Sequence, residues 1–183
     1  MNEKSQGWLN TLFGWGQRRQ SGEAEKLYAA AIEVARRPVF YRDFGVKDTV
    51  DGRFDALSLV VVLVMRTLKN SGDDGRALSQ QLFDSMFADM DLSLREMGAG
   101  DIGVSKRVRV MAEACMGRLE AYVKALDNAD KTALAVAMQR NLFRDDPAID
   151  PLANGSVDYV FALASEMANL DPARLRLGNL DLS

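Results

Sequence analysis

Residues 83–108 read FDSMFADMDLSLREMGAGDIGVSKRV, two amphipathic helical patterns joined by a glycine-rich, charged corner. Upstream of it, Leu78, Leu82, Met86, Met90, Leu94 and Met97 recur at helical spacing, with Phe83 and Phe87 widening the stripe. Gly98 and Gly100 supply positive φ at no Cβ cost and end that helix. Downstream, Val108, Met111, Cys115, Leu119, Tyr122 and Leu126 step by three and four, the narrow stripe of knobs-into-holes packing. The spacing predicts helices over residues 76–97 and 105–127.

Working outward gives more helices. Residues 23–36 carry the stripe Leu27, Tyr28, Ala31, Ile32 and Ala35, with Ser21 as expected N-cap and Pro38 as the stop. Residues 51–68 are apolar nearly all round, which marks a central core helix. The stretch 70–75, NSGDDG, reads as a turn. Shorter helices are expected over 129–143 and 156–170, the latter with Val157, Val160, Phe161, Ala164 and Met167 inward. No period-2 strand pattern stands out. The fold class is therefore all-α: a single compact bundle of about six helices in residues 22–170, with flexible tails at 1–21 and 171–183.

Composition narrows the chemistry. The 183 residues are 48% hydrophobic and 27% charged, as in soluble globular domains. The net charge of −3 argues against DNA, whose phosphates call for a basic surplus. Residues 145–183 carry seven acidic and two basic side chains, a local charge of −5. Histidine is absent, so no Ser-His or Cys-His nucleophile, histidine base or histidine metal ligand exists. The single cysteine, Cys115, forms no intrachain disulfide and reads as a small buried hydrophobe. The pattern predicts no cofactor, no metal site and no catalytic set. Gly98-Ala99-Gly100-Asp101-Ile102-Gly103 superficially resembles a phosphate loop, but it follows a helix rather than a strand.

Three segments invite a binding role. The N-terminal stretch places Trp8, Leu12 and Trp15 on one helical face, beside Phe13, Arg18 and Arg19, a pattern suited to a membrane interface. Gly7, Gly14 and Gly16 weaken that helix. The connector 38–50 holds Phe40, Tyr41 and Phe44, which must pack or bind something. The corner concentrates Asp89, Asp91, Arg95, Glu96, Asp101, Lys106 and Arg107, either a recognition patch or an internal ion-pair cluster. The nine methionines suit irregular core packing, or an adaptable groove for a hydrophobic helix.

These blocks carry a resemblance. Phe44-Gly45-Val46 through Asp51-Gly52-Arg53-Phe54, then Asp89-Met90-Asp91 and Ser93-Leu94-Arg95-Glu96-Met97-Gly98, then Val104-Ser105-Lys106-Arg107-Val108 resemble the ubiquinol–cytochrome c chaperone family over roughly residues 25–145. The resemblance implies a non-enzymatic assembly chaperone that binds newly made cytochrome b during biogenesis of ubiquinol–cytochrome c reductase, complex III of the respiratory chain. Mitochondrial members work with a small partner subunit near the ribosome exit, and both contacts stay open for this chain. Its start has neither an apolar signal region nor a transit-like segment, so a bacterial form is expected, cytoplasmic and peripheral to the inner membrane. On this reading Tyr41, Phe44, Phe83 and Phe87 lie exposed and give affinity, while the corner charges give orientation. Two other classes remain: a carboxylate and divalent-metal enzyme, and a structural accessory subunit of a membrane complex.

Overall fold

Helix α2, Val50–Leu68, is the axis of the molecule, because its apolar residues leave no face for water. Phe54, Leu59, Val60, Val61, Val62, Leu63, Val64 and Leu68 are all buried. The computed structural model describes residues 22–69, 71–96 and 101–180, without the side chains at 101, 102, 104–107 and 172. Seven α-helices form among the described residues: α1 (Gly22–Ala35), α2, α3 (Gly72–Glu96), α4 (Asp101–Asp127), α5 (Lys131–Asn141), α6 (Ser156–Ala168) and α7 (Pro172–Arg176). No strand occurs among them. The all-α expectation holds, and α2 touches α1, α3, α4 and α6.

The entry to α2 is tightly built. Thr49 is its N-cap, and its hydroxyl accepts from the Gly52 N–H at 3.2 Å. A Cβ on Gly52 would fall inside the van der Waals surface of the Lys47 carbonyl oxygen, so only glycine fits there.

Helix boundaries differ from expectation where one residue type serves two roles. The expected turn at 70–75 is helical from Gly72 onward, where α3 already starts. Asp73 and Asp74 suit a helix's first turn as well as a loop, because carboxylates complement the dipole there. Helix α4 begins at Asp101 rather than at 105, so Lys106 and Arg107 sit beyond the first turn, where the dipole penalty on cations has faded.

The connector is not a plain loop. Val39–Asp43 form a π-helical turn, closed by the Phe44 N–H donating to the Val39 carbonyl at 3.0 Å. Phe40, Phe44 and Tyr159 of α6 pack edge-on or tilted, with centroids 5.3–6.2 Å apart. Asn154 Nδ2 donates to the Phe44 carbonyl at 3.1 Å and ties the turn to the α5–α6 connection.

The expected C-terminal tail is partly structured. Asp171 caps α7 by accepting from the Ala173 N–H at 2.9 Å. Leu175 and Leu180 are buried, and α7 lies against α1. A motif of one turn with two isolated leucines is too short for periodicity to reveal it. Within α6, Leu163 is buried while Phe161 is only partly so. No helix among the described residues is long and apolar enough to cross a membrane.

Candidate functional site

A groove of about 370 Å³ opens between α1, the π-helical turn, α2 and α3. Tyr41, Asp89 and Glu96 line it, joined by Arg36, Arg53 and the apolar Leu57 and Met90. The structure thus brings three of the expected binding residues together and adds two arginines that the sequence reading missed. Val50, at the start of α2, also lines it and is exposed.

Each polar group here has a local cause. The Tyr41 hydroxyl donates to the Ala35 carbonyl at 2.9 Å, satisfying one of the orphan acceptors at the end of α1. Burial pushes its phenol above the usual tyrosine value, and Asp48 adds to the shift. The Tyr28 hydroxyl donates to Asp89 Oδ2 at 2.8 Å, bracing α1 against α3. Burial and then that bond hold the Tyr28 phenol far above its ordinary value. Arg53 Nε donates to Asp48 Oδ1 at 2.6 Å and keeps that carboxyl below the usual carboxylate range.

Other expected site residues fall elsewhere. Phe44, Phe83 and Phe87 are 7%, 5% and 3% exposed, so the expectation of surface contacts is corrected. Phe83 and Phe87 meet at a tilt with ring centroids 4.7 Å apart, Phe54 meets Phe87 edge-on at 6.2 Å, and all three are buried. Their stripe is not spare apolar surface: the bundle needs it to close on α2. Asp91 and Arg95 pair with each other at 2.6 Å, one turn apart on α3. The side chains of Asp101, Lys106 and Arg107 lie outside the described residues, as do the corner 97–100 and the segment holding Trp8, Leu12, Phe13, Trp15, Arg18 and Arg19.

A second polar centre was not anticipated. Asp55 of α2 has no exposed side-chain surface and binds two guanidiniums, Arg118 Nη1 at 2.5 Å and Arg144 Nε at 2.6 Å. Arg144 also reaches Asp51 at 3.5 Å. The Arg118 guanidinium lies 5.7 Å from the Phe54 ring centroid. Burial pushes the Asp55 carboxyl up, and Arg144 and Arg118 oppose that push. Arg144 and Asp145 both adopt φ of 55°, left-handed conformations that non-glycine residues take only when surroundings demand it. This node fastens α2, α4 and the segment after α5 to one another.

Cys115 lies in the same interior, and burial pushes its thiol up to about 11. A thiol-reactive disulfide reagent is therefore expected to leave the native protein essentially unlabelled at pH 7.5 and to label it fully in denaturant. Prompt labelling of the folded chain would contradict the buried position. Among the described residues no group of three or more Cys, Asp or Glu side chains is placed to hold a metal ion. Asp89 and Glu96 share the groove, but Asp91 is engaged by Arg95 instead.

Comparison with known proteins gives the context. Residues 42–182 match the family model described as ubiquinol-cytochrome C chaperone. The match runs further toward the C-terminus than the blocks quoted above suggest. The chain is similar to ubiquinol-cytochrome c reductase complex assembly factor 1 of Drosophila melanogaster, 26% identical over 122 residues, 64% of this chain and 47% of that protein. It is also similar to the assembly factor 1 of Xenopus laevis, 24% identical over 127 residues, 68% of this chain and 63% of that protein. The chain thus spans between about half and just under two thirds of these relatives' length. Among solved structures it is similar to the Cbp3 homolog from Brucella abortus, with a TM-score of 0.78, 34% identity and 96% of both chains covered.

Proposed function

The chain belongs to the ubiquinol-cytochrome C chaperone family, and from that premise we propose that it is a non-enzymatic chaperone for assembly of ubiquinol–cytochrome c reductase. The observation that carries the reading is the family match over residues 42–182, which includes the α2 and α3 walls of the polar groove. The client is cytochrome b, engaged when newly made and released before the complex is complete. The chain works in the cytoplasm at the inner membrane, where residues 1–21 make the peripheral contact through Trp8, Leu12, Phe13 and Trp15, with Arg18 and Arg19 toward anionic headgroups.

The recognition surface is the polar groove and the α3–α4 corner. Tyr41, Asp89 and Glu96, with Arg36 and Arg53, orient the client in the groove. Asp91, Arg95, Asp101, Lys106 and Arg107 supply further charges for the client to meet. Affinity comes from the exposed Val50 and the partly buried Leu57 in the groove, since the phenylalanines expected in that role are core residues.

Reversing two charges tests this surface. Arg95→Glu with Lys106→Glu is expected to weaken client capture about tenfold or more, by placing like charges against the partner. Circular dichroism and thermal unfolding serve as fold controls. Unchanged capture by a folded double variant would contradict the recognition role of the corner.

A further inference from the structure

A larger groove, about 830 Å³, lies between α4 and α5 and shares no lining residue with the one just described. Its lining includes Ala114, Gly117, Ala121 and Ala125 of α4 and Ala133 and Ala137 of α5. Their three- and four-residue spacing puts one row of small side chains along each helix. Such rows let a further helix backbone approach closely. A Cβ on Gly117 would meet nothing within 4 Å, so packing within the described chain does not demand the glycine. Yet a mid-helix glycine costs about 1 kcal/mol relative to alanine. Val136, also in the lining, is 66% exposed and has no apolar cover.

The charges in this groove are unevenly committed. Arg118 is bound by Asp55, Glu113 accepts from Arg109, and Asp130 caps α5 through the Ala133 N–H. Lys124 on α4 and Arg140 on α5 are exposed and have no ion-pair partner among the described residues. Two uncommitted cations therefore come from the two walls of a small-residue trough.

We propose that this groove docks an α-helix of a partner protein, its buried face small and apolar and its flanks carrying carboxylates. The flanking carboxylates would meet Lys124 and Arg140, and the apolar face would cover Val136 and the alanine rows. Charge argues against residues 1–21 as the occupant, because Lys4, Arg18 and Arg19 outnumber Glu3 there. Shape argues against a lipid surface, since a concave trough offers a flat headgroup plane few contacts. The inference does not rest on the identity of the client.

The test uses the full chain and two labelled 20-residue helical peptides with the same Ala/Leu face, one flanked by Glu and one by Lys. Fluorescence anisotropy is expected to show binding of the Glu peptide, at least tenfold tighter than the Lys peptide. Lys124→Glu with Arg140→Glu is expected to reverse that preference. Ala121→Leu, which fills the trough without adding charge, is expected to weaken both peptides at least fivefold. Equal binding of the two peptides, or Glu-peptide binding untouched by the charge variant, would overturn the proposal. So would two other results for the charge variant. One is loss of binding to vesicles of 30% phosphatidylglycerol where neither peptide binds. The other is a dimer of the parent chain that becomes monomeric.

Discussion

Asp55→Ala is expected to destabilise the protein by about 3–5 kcal/mol, the range for breaking a buried ion pair by removing one partner. At the usual sensitivity of domains of this size, that lowers Tm by about 6–20 °C. The cause is what remains behind. Arg118 is 13% exposed at its side chain and would keep its charge in the interior with no carboxylate beside it. Arg144 would lose the bond that holds its left-handed backbone in place. Arg144→Met is expected to cost less, because Arg118 still satisfies Asp55 and the Arg144 side chain is 44% exposed. The pair Asp55→Leu with Arg118→Met should recover much of the loss, since apolar replacement of a whole buried pair is often neutral. Urea unfolding of the four proteins checks the series. A loss under about 1 kcal/mol for Asp55→Ala would mean that the node does not fasten these elements together.

Phe87→Ala is expected to cost about 3–5 kcal/mol, as truncation of a buried aromatic does. Phe87 is 3% exposed and packs against both Phe83 and Phe54. Its loss also loosens Phe54, which carries the Arg118 guanidinium over its ring. The substitution separates two roles for the same residue. A surface contact would lose partner binding with stability changed by no more than about 0.5 kcal/mol. A core residue would lose stability first. Thermal unfolding read beside client capture distinguishes the two.

The helices were legible because their apolar stripes are long. Phe54 to Leu68 leave no polar face, and Leu78 through Leu94 keep one row through α3, so burial could be read from spacing alone. Asp55 was overlooked, although a signal existed. A carboxylate in a helix apolar on every side has no solvent face to occupy, and must find a cation. Arg118 could have been found the same way, since it lies three residues after Cys115 and four before Tyr122, beside the core stripe of α4. Arg144 could not, because a loop cation 89 residues from Asp55 meets it only through tertiary structure. That the connector packs follows from its three aromatics, but its partner was illegible for the same reason: Phe40 and Phe44 close on Tyr159, which is far away in sequence. The aromatic residues misread as surface share one lesson. Phe44, Phe83 and Phe87 were weighed as free apolar area, whereas a bundle closing on a central helix uses all the aromatic area within reach.

We propose that this chain holds cytochrome b before the reductase is complete. The measurement that tests it most directly is capture of the tagged full chain from gently solubilised membranes of its own cells, with mass spectrometry and a haem absorption spectrum of the eluate. Cytochrome b is expected to be enriched without the other catalytic subunits, and the spectrum then tells whether the client already carries haem. Cytochrome b absent even after crosslinking, or present only with the finished complex in equal proportion, would contradict it.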